Sequence, residues 1–478
     1  MKMKKVLIPM VLGLTTLGLV SCNEENNRSS EELYICVYDG GYGTEWINAL
    51  ATNYEAKTGV KVNWEVDTSI LDRLEDQLEN TSDYDIYMSH DINWQNFAAR
   101  GLLANLDELY ERDVDGTKFK DRLVPAAEEM SKAENDKGEE HYYKVCYTQG
   151  AGGLVYNIDM FKENNWEVPT TYDELKALCE TIVKAQVDAG NRKTVVPFAW
   201  SGTDRQYYWD YLVFEWWAEL AGEEKINNFR AFVDPSNGKY STGYEVYNNT
   251  THFKEFWEAY DMWYNLVASN PTYSMSNAYG SNLLTAQSAF ANGEAAMIPY
   301  GQWAKLEIEK ATDSALDFDI AMMETPKAKA DSKDFNYMVG FGDSMIVPEN
   351  TPNKELAIDF LAYMASEEAC KTFVEKAQGA FLAFDYSDID LSDIEKDNTY
   401  IKSVHDKLTK STSFHLASKN PMSYFNTNKL MPWIENNYYY ASACQNNKEN
   451  TSTILGPKCY NTAKSSWSVW MRNAGVSD

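Results

Sequence analysis

The sequence contains few of the residues that most often carry metal or redox chemistry. Its 478 residues include seven cysteines and five histidines, and no CxxC, HxH or HxxxH pair occurs. Because a zinc site needs several such ligands at close spacing, we predict no metal and no cofactor. Positive charge is also scarce, since 43 Lys and Arg face 72 Asp and Glu and leave a net charge of −29. A chain this acidic repels phosphate backbones, which excludes nucleic acid as a partner.

Hydrolase signatures and internal repeats are missing as well. Ser201 stands in Ser-Gly-Thr-Asp-Arg, which lacks the GxSxG pattern of a nucleophile elbow. Carboxylates are plentiful, but no pair arranged for glycosidic cleavage is evident. We therefore predict that the protein is not an enzyme. A surface glycoside hydrolase or peptidase is the alternative from another class, and a structural surface protein is disfavoured because repeats are absent.

The first 21 residues have the organisation of an export signal. Three lysines near the start precede an apolar run from Val6 to Val20, which is too short to span a bilayer. The motif Leu19-Val20-Ser21-Cys22 resembles the lipobox of bacterial lipoproteins, so we expect cleavage before Cys22 and lipidation of its thiol. Residues 22–30 then form a flexible polar spacer. The protein is expected to be extracytoplasmic and anchored to the bacterial cell membrane; plain secretion is the alternative.

The remaining cysteines are mostly far apart in the sequence. Only Cys444 and Cys459 lie close to each other, and we predict that they form a disulfide in the exported chain. The other cysteines stand in apolar surroundings typical of buried free thiols, as Cys36 does.

Strands and helices alternate in the first part of the chain. An aromatic and β-branched run from Leu33 to Tyr38 predicts a buried strand, and apolar residues recur at helical spacing between Thr44 and Gly59. Strand-like runs follow at 60–66 and 84–88. This order predicts an α/β fold with a parallel sheet, in which ligands bind at the carboxyl ends of the strands.

Seven segments together resemble the extracellular solute-binding proteins of carbohydrate ABC transporters, of the maltose-binding type. They are the lipobox and residues 34–62, 85–91, 101–106, 153–161, 290–303 and 352–361; the final hundred residues show no clear likeness. The resemblance implies a two-lobe, type II periplasmic-binding-protein fold with a hinged ligand cleft. It places lobe one at 31–146 plus 316–347 and lobe two at 150–312 plus 352–478.

The resemblance also implies a function. The protein would be a substrate-binding receptor that captures a mono- or oligosaccharide and delivers it, unaltered, to the permease subunits of an ABC importer. It would work as a monomer. Because the same scaffold serves other solutes, a polyamine or peptide binder is the alternative within the class; an acidic, aromatic cleft would suit a polyamine through cation–π contacts.

A sugar site needs aromatic rings for the faces of the sugar and planar polar groups for its hydroxyls. By position in the resemblance, the ligand-binding residues are Gly41, Tyr42, Asp91, Gln149, Trp200, Asp204, Tyr207, Trp209, Trp303 and Asp343. Trp303 matches the place where the family has a Trp beneath a sugar ring. Several of these residues also have a structural interpretation: Gly41 fits a plain turn, Asp91 a helix N-cap, and half of the aromatics at 198–209 a helical core.

Overall fold

The computed structural model describes residues 31–90, 92–188, 195–203, 209–338, 343–416, 418, 420–426, 430 and 451–478. Two separate sheets organise these residues, and we call the body around each sheet a lobe. Lobe one is built on a five-stranded sheet of order β2-β1-β3-β14-β8. Lobe two is built on a four-stranded sheet of order β10-β11-β9-β12. This architecture is the predicted α/β arrangement.

The strands that form these sheets are short, and most are buried. In lobe one they are β1 (Glu32–Val37), β2 (Lys61–Val66), β3 (Ile86–Ser89), β8 (Val145–Cys146) and β14 (Ser344–Ile346). In lobe two they are β9 (Gly152–Asn157), β10 (Val196–Phe198), β11 (Ala295–Gly301) and β12 (Ile320–Met323). Two-stranded pairs complete the set: β4 (Asp113–Val114) with β5 (Thr117–Lys118), β6 (Lys132–Glu134) with β7 (Glu140–Tyr142), and β13 (Phe335–Tyr337) with β15 (Thr412–Phe414).

Helices cover both sheets. In lobe one they are α1 (Glu45–Thr58), α2 (Leu74–Glu79), α3 (Trp94–Ala99), α4 (Asp107–Glu111), α5 (Phe119–Arg122), α6 (Pro125–Glu129), α14 (Lys354–Met364) and α15 (Glu367–Lys376). The others are α7 (Ile158–Asn164), α8 (Tyr172–Asp188), α9 (Trp209–Ala221), α10 (Glu223–Ala231), α11 (Lys254–Trp263), α12 (Leu283–Ala291), α13 (Ala304–Thr312), α16 (Ser392–Glu395), α17 (Thr399–Lys410), α18 (Ser423–Phe425) and α19 (Ser452–Ala474). None of the helices in these described stretches is both long and apolar enough to cross a membrane.

The first βαβ unit shows how the sequence dictates the fold. Buried Leu50 and Tyr54 lie one turn apart on α1 and pack its apolar face onto the sheet. The helix ends at Gly59, whose φ of 79° suits the left-handed cap and whose N–H donates to the carbonyl of Glu55. Strands β1 and β2 then pair in parallel, from Glu32 opposite Lys61 to Val37 opposite Val66. The carboxyl ends of both strands therefore lie at one edge of the sheet.

The predicted lobe boundaries are wrong in the second half of the chain. We assigned 316–347 to lobe one, but β12 pairs antiparallel with β9, and β13 packs against α9, so residues 320–337 belong to lobe two. We assigned 352–478 to lobe two, but α14 and α15 pack against α1 and belong to lobe one. The chain returns to lobe two at α17, which packs on β12. Burial of the apolar faces of α14 and α15 against α1 accounts for this placement.

The thiol of Cys459 is free and buried in the structure, which does not support the predicted disulfide with Cys444. Cys444 itself lies outside the described residues, as do the export signal and the spacer at 1–30. Cys36, Cys146, Cys179 and Cys370 are buried free thiols, as the apolar contexts predict. Burial raises the pKa of the Cys36 thiol to about 12, so this thiol is unreactive at neutral pH.

Candidate functional site

The loop that follows β1 places backbone and an aromatic ring at the junction of the two lobes. Gly41 has a φ of 89°, a conformation that glycine adopts without strain. A Cβ atom at Gly41 would stand 3.1 Å from Cδ1 of Trp303. The loop of lobe one and the indole of lobe two are therefore in close contact.

Tyr42 lies at the centre of this contact. Its side chain is 2% exposed, and its hydroxyl shares a hydrogen bond of 3.1 Å with Oγ1 of Thr148, in the connection between β8 and β9. The ring meets that of Trp303 edge to face at 5.8 Å, and that of Tyr147 in the same manner at 5.6 Å. Burial raises the pKa of the Tyr42 hydroxyl well above its ordinary value, so it stays protonated and can donate or accept a hydrogen bond.

Trp303 is held at the end of a fully buried strand. Strand β11 ends at Gly301, and the N–H of the next residue, Gln302, donates to the carbonyl of Ala151. Trp303 follows at the N-cap position of helix α13. The indole is only partly buried. Its second aromatic neighbour is Tyr211 on α9, with ring centroids 6.4 Å apart. Trp303 thus keeps part of its surface open while its backbone and inner edge are fixed.

Tyr211 continues the line of contacting aromatic rings from Trp303 into lobe two. Its ring lies directly against Gly152, where a Cβ atom would stand 1.9 Å from Cδ1 of the tyrosine. The ring of Tyr337 on β13 follows at 6.2 Å. We call Trp303, Tyr211 and Tyr337 the aromatic row. Glycine at 152 is required because any side chain there would displace the middle ring of this row.

An open cavity of about 530 Å³ lies beside the Gly41–Trp303 contact. Lobe one contributes Asp39 and Gly41, and lobe two contributes Asn282, Leu283, Leu284, Gln287, Glu307, Lys310 and Ala311. The volume falls within the usual range of small-molecule sites, and both lobes line the cavity. A ligand held here would touch both lobes at once.

The rim of this cavity carries polar groups of both signs. Nζ of Lys310 lies 2.8 Å from a carboxylate oxygen of Asp39 and joins the lobes by an ion pair. Glu307 accepts a hydrogen bond of 2.6 Å from the hydroxyl of Tyr300, which in turn accepts one of 2.6 Å from the amide of Gln287. These contacts fix Gln287 and Glu307 in place at the cavity wall. The rim therefore offers amide groups, two carboxylates and one ammonium group, and the ammonium is paired with one of the carboxylates.

Several predicted ligand-binding residues lie elsewhere. Trp200 and Trp209 are 4% and 3% exposed and line a small space inside lobe two rather than the cavity between the lobes. Nε1 of Trp200 donates to Ser274, and the ring of Trp209 packs edge to face on Tyr260. Both indoles are part of the lobe-two core in this structure. The helical core that the sequence predicts for half of the aromatics at 198–209 agrees with this placement.

Of the other predicted residues, the structure describes Gln149 and Asp343, which lie near the connections between the lobes. The side chain of Gln149 is 4% exposed and donates to the carbonyl of Phe384 at 2.6 Å, so it ties two of the chain connections between the lobes together. Asp343 is half-buried, and its carbonyl accepts the N–H of Tyr147. Its charge contributes, after burial, to the raised pKa of Tyr42. Asp91, Asp204 and Tyr207 lie outside the described residues.

Sequence reasoning missed most of the cavity wall. Asn282, Gln287 and Glu307 stand in ordinary helical sequence, and no local pattern distinguishes them from solvated surface residues. Lys310 could have been found, because it follows Trp303 by seven residues and so lies two helical turns further along the same face. Within the described residues, no group of three or more His, Cys, Asp and Glu side chains is placed to hold a metal ion.

Two α/β lobes joined by several chain connections, with a cavity lined from both sides, define a two-lobe ligand-binding protein. The chain belongs to the bacterial extracellular solute-binding proteins, because the sequence profile of that family matches residues 49–397. It is 23% identical over 380 residues to the multiple sugar-binding protein of Streptococcus mutans, covering 78% of this chain and 81% of that protein. The predicted family is confirmed, and it implies an extracytoplasmic location.

Solved structures show the same fold. RafE in complex with raffinose has a TM-score of 0.60 at 17% identity and covers 92% of this chain and 99% of its own; a further structure identifies RafE as a protein of Streptococcus pneumoniae. The GacH receptor of Streptomyces glaucescens, solved unliganded and with acarbose, also has a TM-score of 0.60 at 17% identity, with 92% and 98% covered. The predicted two-lobe, type II fold is confirmed.

Proposed function

We propose that this protein is the substrate-binding receptor of an ABC importer for a mono- or oligosaccharide. The observation that carries the proposal is the contact of Tyr42 and Trp303 from opposite lobes beside a cavity with a mixed polar rim. The partly exposed indole presents a flat apolar surface suited to the C–H face of a sugar ring. Asn282, Gln287 and Glu307 offer acceptors and donors for its hydroxyls.

The composition of the rim favours a neutral polyol over a polyamine. Asp39 is already paired with Lys310, and Glu307 already accepts from Tyr300. A polycation would have to compete with Lys310 at the same wall, which costs Coulomb energy in a partly enclosed site. Sugar hydroxyls donate and accept, and therefore suit amides and carboxylates together. If no sugar binds in titration, a polyamine is the next class of ligand to test.

The relatives support the same substrate class. One is a multiple sugar-binding protein, RafE was solved in complex with raffinose, and the GacH receptor was solved in complex with acarbose. We propose that this chain likewise binds its ligand without altering it and passes it to permease subunits in the membrane. We further propose a monomer with a cleaved signal at 1–21, a lipid on Cys22 and a spacer to residue 30.

Calorimetric titration of the mature chain with a panel of mono- and oligosaccharides tests the binding. We expect at least one sugar to bind, and Trp303→Ala to weaken that binding at least ten-fold because a stacking surface is removed. Trp64 is a half-buried indole on β2, away from the cavity, so Trp64→Ala is the matched control and should bind as the wild type does. No heat with any sugar, or equal loss in both variants, contradicts the proposal.

Two further measurements test the finer statements. Recovery of the bound sugar intact after prolonged incubation separates a receptor from a hydrolase, since turnover would consume it. Expression of the full chain with Cys22→Ala should move the protein from the membrane fraction to the soluble fraction if Cys22 carries the lipid.

A further inference from the structure

Helix α9 carries a stripe of three residues that connects the aromatic row to the interior of lobe two. Tyr211, Glu215 and Glu219 are each one helical turn apart, so they lie along the same face. Tyr211 is the middle member of the aromatic row. Glu215 is completely buried one turn further along the helix. A feature that fixes Glu215 therefore also fixes the helical turn that carries Tyr211.

Glu215 is held by an ion pair with no exposure to solvent. One carboxylate oxygen accepts a hydrogen bond of 2.9 Å from Nζ of Lys407 on α17, and both side chains are 0% exposed. Lys407 also donates to Oγ1 of Thr325 at 3.2 Å. Burial raises the pKa of Glu215, and the adjacent Lys407 charge opposes that rise. The pair joins α9, α17 and the segment after β12.

The second oxygen of Glu215 reaches the other end of the aromatic row. It accepts the backbone N–H of Tyr337 at 2.8 Å. One carboxylate thus determines the position of Tyr337 through its backbone, and that of Tyr211 through the helix. The two rings are in contact with each other at 6.2 Å. A backbone N–H has a single strong direction, so this bond fixes the register of β13 against α9.

A buried ion pair is poor evidence for stability, because the desolvation of two charges offsets most of their attraction. Replacement of such a pair by apolar residues of similar volume is often neutral. Stability therefore does not by itself explain the presence of Lys407 and Glu215 inside the aromatic lobe-two core. The geometry supplies a further role, since the carboxylate touches two elements that carry rings of the row.

We propose that Glu215, held by Lys407, is a positioning residue that sets the aromatic row for ligand binding without touching the ligand. The inference rests on the proposed function, since it assigns to the row a part in sugar affinity. The feature that matters is the acceptor for the Tyr337 N–H, and the Lys407 charge serves to keep that acceptor oriented.

Two double variants separate positioning from packing. Glu215→Gln with Lys407→Met removes both charges but keeps an amide oxygen for the Tyr337 N–H. Glu215→Leu with Lys407→Met removes the charges and the acceptor at similar volume. We expect the first to bind the best panel sugar within three-fold of the wild type and the second to bind at least ten-fold more weakly. Equal affinities in the two variants would overturn the proposal.

Aromatic circular dichroism in the near ultraviolet gives a readout that does not depend on sugar. The leucine variant should lose tyrosine and tryptophan signal relative to the glutamine variant, because the rings of the row no longer hold one arrangement. If the wild type binds no sugar, the proposed function fails, and the dichroism comparison still tests the positioning. If the leucine variant does not fold, Glu215→Asp replaces it. Its shorter side chain cannot reach Lys407 and Tyr337 together, so a ten-fold weaker affinity or altered dichroism is expected, and wild-type values for both would refute the role.

Discussion

Glu219 gives lobe two a stability that depends on pH. Its carboxylate accepts the N–H of Ala328, yet burial is the larger influence and raises the pKa of Glu219 to about 8, with the nearby Glu215 charge adding to the rise. In the unfolded chain the group titrates near its ordinary value of 4.5. The folded state therefore binds a proton more tightly than the unfolded state. The stabilisation is complete below pH 4.5 and is lost as the pH rises to 8.

The size of the loss follows from these two values. The interval from 4.5 to about 8 spans about 3.5 pH units, and each is equivalent to about 1.4 kcal/mol, which gives about 5 kcal/mol at most. The side chain of Glu219 is partly exposed, so solvent screens the charge. We therefore expect about 2 kcal/mol between pH 5 and pH 8. Glu219→Gln stays neutral throughout this range and keeps an oxygen for the Ala328 N–H.

Urea unfolding followed by tryptophan emission measures the effect. The free energy of unfolding of the wild type should fall by about 2 kcal/mol more between pH 5 and pH 8 than that of Glu219→Gln. Glu163 is exposed on α7, so Glu163→Gln controls for the loss of one charge and should follow the wild type. If the wild type and Glu219→Gln respond to pH in parallel, within about 0.5 kcal/mol, the raised pKa is wrong.

Two further predictions concern the junction of the lobes. Gly41→Ala adds a Cβ atom 3.1 Å from Trp303, whereas the control Gly43→Ala, also at a positive φ, adds one that meets nothing nearer than 3.9 Å. Only Gly41→Ala should weaken sugar binding in calorimetry, by about five-fold or more. Equal losses in the two variants would contradict the contact between Gly41 and Trp303. Lys310→Met breaks the pair with Asp39, in which the lysine is exposed, and a pair with one solvated partner is worth about 1 kcal/mol. The sugar affinity of Lys310→Met should differ from that of the wild type by less than about five-fold and should no longer depend on salt. Titrations at low and high ionic strength measure this, and a salt effect that persists in the variant would refute a contribution of the Lys310–Asp39 pair to the affinity.

The first βαβ unit could be predicted because its signals are local. Strand β1, helix α1 and strand β2 each carry their own apolar pattern, and Gly59 marks the end of the helix. Strand β12 carries no such guide to its partner. Its four buried residues would suit either sheet, and only pairing with β9, more than 150 positions away, decides the lobe. The lobe boundaries depend on such non-local pairings, and for that reason they were predicted incorrectly.

The candidate site shows the same division. Gly41, Tyr42, Trp303 and Asp343 come together at the junction of the lobes, and their part in binding stays a prediction. Trp200 was an equally strong candidate by residue type, but it is buried in lobe two. The two indoles are chemically identical, and each stands two residues after the end of a lobe-two strand, β10 for Trp200 and β11 for Trp303. Residue type alone therefore cannot separate them.

Glycine opposite a ring is a more informative signal than the ring itself. Trp303 lies against Gly41, where a methyl group would make a tight contact of 3.1 Å, and Tyr211 lies against Gly152, where a methyl group would collide with the ring at 1.9 Å. Both rings lie against backbone, which adjusts less readily than a side chain does; Trp303 is partly exposed, and Tyr211 is 1% exposed and belongs to the lobe-two core. Such positions place a ring where two chain segments approach closely: the Gly41 contact joins the two lobes, and the Gly152 contact lies within lobe two. A search of the sequence for glycines next to predicted strands would have marked Gly41 and Gly152, but the ring that packs on each glycine is decided by contacts between distant parts of the chain.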